Sequence, residues 1–365
     1  MNPGSNPSAV STPLCDIPDY ERQAKAVMSE MAWEYISGGA TDEITLRSNR
    51  ESYDRLRLCP EVLVDVSQVD TRVTLLGHEH PFPMLLAPTA YQRLTHPDGD
   101  LATAKGAGAA KATLVASIFA THSIEEIAAA ATGPLWFQLY TQPDRGLTRD
   151  LVQRAEAAGC EALVVTVDTP VLGPRYREIR SKFALPPGVE RSNLKGLAGA
   201  AAAHRPTEQS IYSAVLNPKL TWKDLDWLRS LTQRPVLLKG VLNPNDAERA
   251  VQAGVAGIIV SNHGGRNMDT QPATIDALPR IVERVAGRMP VLVDGGIRRG
   301  TDVLKAMALG ASAVLIGRPY LYGLAVDGAA GVTRVINILR REFEMAMATA
   351  GRPTIAAIDA SVIWR

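Results

Sequence analysis

The sequence predicts an α/β fold closed into a (β/α)8 TIM barrel, with an N-terminal helical extension and a long loop after strand 4. Three observations carry this reading. Short apolar runs recur eight times, at residues 84–87, 113–116, 135–139, 162–167, 236–238, 257–260, 291–293 and 313–316. Amphipathic or alanine-rich stretches lie between most of them, for example 150–158, 245–253 and 301–309, and such alternation builds a parallel sheet covered by helices. Polar residues stand at the C-terminal ends of most runs, the positions that line the active face of a barrel. An open doubly wound sheet is the competing arrangement, but no Gly-x-Gly-x-x-Gly follows a first strand. Gly106-Ala107-Gly108 lies inside an alanine-rich helical stretch, where packing is its expected role.

Residues 1–13 are rich in Pro, Ser and Asn and lack the basic-then-apolar order of a signal peptide, so a disordered tail is expected there. Residues 14–365 are expected to form a single domain. Its first part, 14–80, precedes the barrel; 20–37 has a helical pattern and 71–80 suits a hairpin across the barrel floor. After the fourth run, residues 184–220 are too long for an ordinary connection, with Pro186-Pro187-Gly188 and the alanine-rich stretch 197–203 inside them. A loop of this kind at the active face is expected to act as a lid.

Composition narrows the function. The 365 residues carry a formal net charge of +1 with 46% hydrophobic and 21% charged residues, which offers no electrostatic footprint for nucleic acid or anionic membrane. No apolar run approaches the roughly 18 residues of a membrane span. Cys15, Cys59 and Cys160 are too few and too scattered for a disulfide framework or a zinc site, and no metal is expected. Cys160 reads as a small core residue. The C-terminal residues 362–365 are not a peroxisomal address, and a cytoplasmic location is the default expectation.

The chemistry concentrates at strand ends. Residues 257–266 form an apolar strand that runs into Ser261-Asn262-His263-Gly264-Gly265-Arg266. An imidazole moves protons near neutral pH, and a guanidinium fork three residues on matches a carboxylate. That pairing suits chemistry at the α-carbon of a small acid. The last two strands end in Asp294-Gly295-Gly296-Ile297-Arg298 and Gly317-Arg318-Pro319. Glycine-rich main-chain amides beside arginines make a phosphate cradle where barrels usually place one.

These stretches, with Thr166-Val167-Asp168-Thr169-Pro170, resemble the FMN-dependent 2-hydroxy acid oxidases and dehydrogenases, a family that includes glycolate, lactate and mandelate oxidases and flavocytochrome b2. The resemblance implies FMN as cofactor, a 2-hydroxy acid as substrate and a homo-oligomer, tetramer or octamer. It implies that His263 is the base and that Asp168 hydrogen-bonds the imidazole and favours its protonated form. Arg266 and Tyr35 would hold the substrate carboxylate, Tyr140 would approach the substrate oxygen, and Arg175 would be a second, more mobile arginine. Lys239 would lie beside the flavin edge where negative charge collects. Pro88, Thr89, Ala90, Ser117, Gln138, Thr166 and Ser261 would hold the flavin rings and ribityl chain. Asp294, Gly295, Gly296, Arg298, Gly317 and Arg318 would take ribityl and phosphate.

Two departures bear on substrate. Phe119 stands where glycolate oxidase has tryptophan, and Tyr91 is shared with hydroxymandelate oxidases, so lactate-like and mandelate-like acids both remain open. Ala90 matches the residue that oxidases of the family tend to carry, which favours O2 as acceptor and hydrogen peroxide as product. A dehydrogenase using a quinone or protein acceptor is the alternative, and a phosphate-binding barrel without turnover is a third reading. Hydride and carbanion routes would use the same histidine.

Overall fold

The computed structural model describes residues 13–195 and 210–364. The expected tail, apart from residue 13, and the alanine-rich stretch 197–203 lie outside them. The chain opens with α1 (Ile17–Val27), started by a reciprocal capping box between Asp16 and Asp19. The pattern over 20–37 resolves into two helices rather than one. Met28 turns extended (φ −79°, ψ 150°), and the Ser29 hydroxyl accepts from the Ala32 amide to start α2 (Glu30–Ser37). A serine side chain competing for backbone amides is the physical reason for the break. α3 (Ile44–Arg55) follows.

The hairpin forms as expected, from β1 (Val73–Leu75) and β2 (His78–His80). Fully buried Leu75 packs with the inward side chains of the barrel strands, Leu85, Val115, Val164 and Ile259 among them, so the hairpin closes the barrel floor.

Eight parallel strands close the barrel: β3 (Met84–Leu86), β4 (Thr113–Ser117), β5 (Leu135–Leu139), β6 (Leu163–Thr166), β7 (Val236–Val241), β8 (Gly257–Val260), β9 (Val291–Asp294) and β10 (Ala313–Ile316), with β10 paired to β3. Strands covered on both faces read as unbroken apolar runs, which is why all eight were visible in the sequence. The shell comprises α4 (Gly99–Ala109), α5 (Ile124–Ala130), α6 (Arg145–Ala157), then α7 (Tyr176–Arg180) and α8 (Asp224–Ser230) in the long β6–β7 connection. It ends with α9 (Pro244–Gln252), α10 (Thr274–Val285), α11 (Gly300–Ala308) and α12 (Arg318–Thr349). Asp327 and Gly328 leave helical dihedrals and kink α12. Cys160 is buried, as read from the sequence, and none of the three cysteines is disulfide-bonded.

Gly106 packs α4 against α12. A Cβ there would lie 2.5 Å from the Ala329 carbonyl oxygen and 2.8 Å from Val332 Cβ. Overpacking of this kind costs about 1–3 kcal/mol. Gly106→Val is therefore expected to lower the thermal midpoint of unfolding. An unchanged midpoint would show that the two helices are not in this register.

Candidate active site

The C-terminal strand ends converge on one cleft, the kind of concave site that holds a small molecule. β8 delivers the central element. His263 itself adopts φ +58°, a conformation costly for a non-glycine residue, and Gly264 and Gly265 continue in the left-handed region. The loop is over-determined by its neighbours. Asn262 exchanges two side-chain hydrogen bonds with Asn49 of α3, at 2.8 and 2.9 Å. The Asp269 carboxylate accepts from the amides of Asp42, Ile44 and Thr45 and from the Thr41 hydroxyl. The start of α3 is thus capped by a residue from the catalytic loop.

His263 Nδ1 lies 2.9 Å from Asp168 Oδ1, and Nε2 lies 3.4 Å from the Tyr140 hydroxyl. Thr169 steadies the pair by donating to Asp168 Oδ1 at 3.0 Å. Burial pushes the imidazole below its ordinary range; Asp168 pulls the other way and is outweighed, while Lys239 adds to the lowering. Asp168 thus favours the protonated form, but burial outweighs it. The histidine starts neutral, with Nε2 facing the cleft, and Asp168 is placed to stabilise the imidazolium once a proton arrives. Burial pushes the Tyr140 phenol up, which keeps it a donor.

Above this pair sits an arginine clamp. Arg266 donates to the main-chain oxygens of Tyr35 (2.6 Å) and Gly38 (3.0 Å), at the end of α2, and lies over the Tyr35 ring at 4.9 Å. Arg175, expected to be mobile, is anchored by the Arg266 carbonyl at 2.8 Å, Glu178 at 3.2 Å and Asn267 at 3.3 Å. Buried Glu178 also meets Arg266 at 3.3 Å, so a single acid braces both guanidiniums. The side-chain end of the cleft is aromatic. Phe119 lies 5.1 Å from Tyr140 and parallel to Tyr91 at 6.3 Å, and the Tyr91 hydroxyl accepts from Arg191 at 2.7 Å.

The opposite end carries positive charge. Lys239 Nζ donates to Ser261 Oγ at 2.9 Å and pairs with Asp294 at 3.1 Å. Burial would lower its pKa, but Asp294 and Asp168 outweigh burial and hold the ammonium charged. Ser117 donates to Gln138 and Gln138 to Thr166, both at 3.1 Å, a polar rail across β4, β5 and β6. Pro88, Thr89 and Ala90 line the cleft beside this rail. Among the described residues, Arg318 donates to the main-chain oxygens of Ile36, Gly264 and Gly38 and to no side chain. Burial and the nearby charges of Arg266 and Arg298 push it down to about 9. Asp294 Oδ1 is buried without a partner among the described residues. The Arg318 guanidinium at the start of α12, with Arg298, Gly295, Gly296 and Gly317 lining the same end of the cleft, suits a phosphate, and an orphaned carboxylate oxygen suits a hydroxylated chain. These residues fit FMN.

All sequence-predicted site residues gather here except that Asp168 and Ser261 stand behind the cleft wall and act through His263 and Lys239. Sequence reasoning missed Glu178 and Arg191. The i, i+3 spacing of Arg175 and Glu178 was a usable signal for the first; for Arg191 there was none. Among the described residues no group of three or more His, Cys, Asp or Glu is placed to hold a metal, and no helix is long and apolar enough to cross a membrane.

The model of the family described as FMN-dependent dehydrogenase matches residues 24–365. This chain belongs to that family. FMN is its cofactor. Among family members, an L-lactate oxidase from Nostoc sp. is 49% identical, covering 98% of this chain and 99% of its own. Glycolate oxidase 1 from Oryza sativa subsp. indica is 45% identical over 96% of each chain. The crystal structure of mandelate oxidase with (S)-2-phenylpropionate superposes with a TM-score of 0.88 at 41% identity, covering 96% of this chain and 98% of that one. The shared fold extends across the FMN-dependent dehydrogenase barrel and its N-terminal helices.

With His263 as the base, the lowering of its pKa by burial gives a pH dependence of definite sign. The value of kcat/KM for L-lactate should fall towards acid along a limb centred below about 6.5, the ordinary imidazole value. A limb centred above that value would show that Asp168, not burial, governs His263.

Proposed function

We propose that this chain oxidises an L-2-hydroxy acid with a small apolar substituent, lactate being the type, and that His263 is the base. The chain is an FMN-dependent L-2-hydroxy acid oxidase, with O2 as acceptor. The observation that supports the residue roles is the pairing of a neutral His263–Asp168 dyad with the Arg266 clamp in the cleft that also fits FMN. Arg266 and Arg175 would hold the substrate carboxylate, with Glu178 fixing both forks. The Tyr140 hydroxyl would donate to the substrate hydroxyl oxygen. His263 Nε2 would then take a proton from the substrate, and Asp168 would stabilise the resulting imidazolium through Nδ1. Bound FMN supplies the two-electron acceptor that these side chains lack. Lys239, held charged, would favour negative charge at the flavin edge. In balance, the acid loses two electrons and two protons to give the 2-oxo acid, and O2 gains them as hydrogen peroxide.

The aromatic wall supports an apolar substituent, and the 49% identity to an L-lactate oxidase supports lactate as the type. The family resemblance supports a homo-oligomer, tetramer or octamer.

The test is spectroscopic. L-lactate under argon should bleach the yellow protein, and air should restore the colour with hydrogen peroxide released. Bleaching by mandelate but not lactate would overturn the substrate class, and slow recovery in air beside fast turnover on a quinone would overturn the acceptor.

Phe119→Ala should raise the kcat/KM ratio of mandelate to lactate by about ten- to a few hundredfold, the range of one apolar pocket change. An unchanged ratio would remove Phe119 from the pocket.

A further inference from the structure

β7 is longer than its apolar run suggested, because it continues through Lys239 and Gly240 to Val241. Lys239 pairs with Ile259 and Val241 with Val260, so Gly240 is extruded from the ladder as a bulge. Its φ is +109°, a conformation that L side chains rarely adopt. A Cβ on Gly240 would lie 2.5 Å from Asp168 Cβ, 2.6 Å from Cγ and 2.9 Å from Oδ2. The Val167 amide donates to the Lys239 carbonyl at 2.9 Å, which fixes the Asp168 backbone beside the bulge. Asp168 Oδ2 is buried with no hydrogen-bond partner among the described residues, while Oδ1 meets His263 Nδ1 at 2.9 Å. The carboxylate therefore has bare main chain on one side and the imidazole on the other. Gly240 does not line the cleft that fits FMN and substrate; it borders a separate cavity beside Thr166 and Val167, and its α-carbon faces the Asp168 carboxylate.

The geometry points to Gly240 as a positioning residue for the oxidation: its missing side chain leaves the seat from which Asp168 meets His263. Ordinary carbon contacts begin near 3.4 Å, so a β-carbon at 240 forces the carboxylate to shift by most of an ångström. A misplacement of roughly 1 Å can cost about a hundredfold in rate. The proposal rests on the reading of His263 as the base. The groups that face this imidazole are Asp168 and Thr169 from the segment after β6, Tyr140 after β5, Lys239 from β7 and Arg175 before α7. Of these, Asp168 is the one that opposes the lowering of its pKa by burial.

The test is a double-mutant cycle on the FMN-loaded protein with Gly240→Ala, Asp168→Gly and the pair. Gly240→Ala should slow anaerobic flavin reduction by L-lactate about ten- to a hundredfold. It should also move the acid limb of kcat/KM to lower pH, because the carboxylate that opposes burial is displaced. A purely structural defect would lower the plateau and leave the limb in place. The double variant should reduce no more slowly than Asp168→Gly within about threefold, since both changes act through one contact. Thermal unfolding gives the independent readout: the loss from Gly240→Ala should shrink in the Asp168→Gly background, where the obstructing atoms are gone. If Gly240→Ala fails to fold, Asp168→Gly must restore folding. A wild-type rate and limb in Gly240→Ala, rate losses that multiply in the pair, or no restoration would overturn the proposal. His263→Ala separates the two readings: near-normal reduction in that variant removes the base itself, whereas its loss beside an unaffected Gly240→Ala removes only the positioning role.

Discussion

Two guanidinium groups buried at the mouth of the barrel must find partners, and the last turn of α2 supplies them. Arg266 donates to the Tyr35 and Gly38 carbonyls, and Arg318 donates to those of Ile36 and Gly38. The final carbonyls of a helix have no partner within it and carry its negative dipole end. One helix terminus thus holds the arginine proposed for the substrate carboxylate and the arginine proposed for the phosphate. The eight-fold repeat cannot provide this, because every strand end already contributes a side chain to the cleft. The segment before the barrel is therefore part of the active site, although few of its side chains line it.

Charge balance in the cleft follows from the same constraint. Glu178 braces Arg175 and Arg266, Asp294 holds Lys239 charged, and Asp168 partners His263. Among the described residues, Arg318 has carbonyl acceptors alone. On the proposed roles, the unbalanced charge would face the phosphate and the Glu178-braced arginines would face the substrate carboxylate. An arginine already braced by a carboxylate keeps its orientation when the substrate leaves.

The barrel was legible in the sequence because parallel strands buried on both faces are apolar without interruption. What escaped was local and polar. The end of β7 was hidden because Lys239 and Gly240 break the apolar run, although the strand continues past them. The break at Ser29 carries neither proline nor glycine, only a hydroxyl whose preference for a helix start competes with the surrounding helical pattern. The strand-end residues of the site were legible from their polarity and the specific Ser261–Arg266 stretch. Glu178 lies on a short helix in a long connection, and its role depends on a partner nearly ninety residues away in the chain. Arg191 depends on Tyr91 in the same way. Such contacts leave no periodic trace.

The tie between Asp269 and the start of α3 spans sequence separations of 224 to 228 residues. A chain emerging from the ribosome therefore presents the N-terminal helices long before the loop that caps α3 has been synthesised. Contacts this distant close late, since loop closure must precede them. His263, the proposed base, lies in that same loop, so the proposed proton-accepting centre is assembled only when the first and last thirds of the chain meet. A partly made chain would carry strands and helices of the barrel but no organised base, and would not begin generating peroxide during its own synthesis.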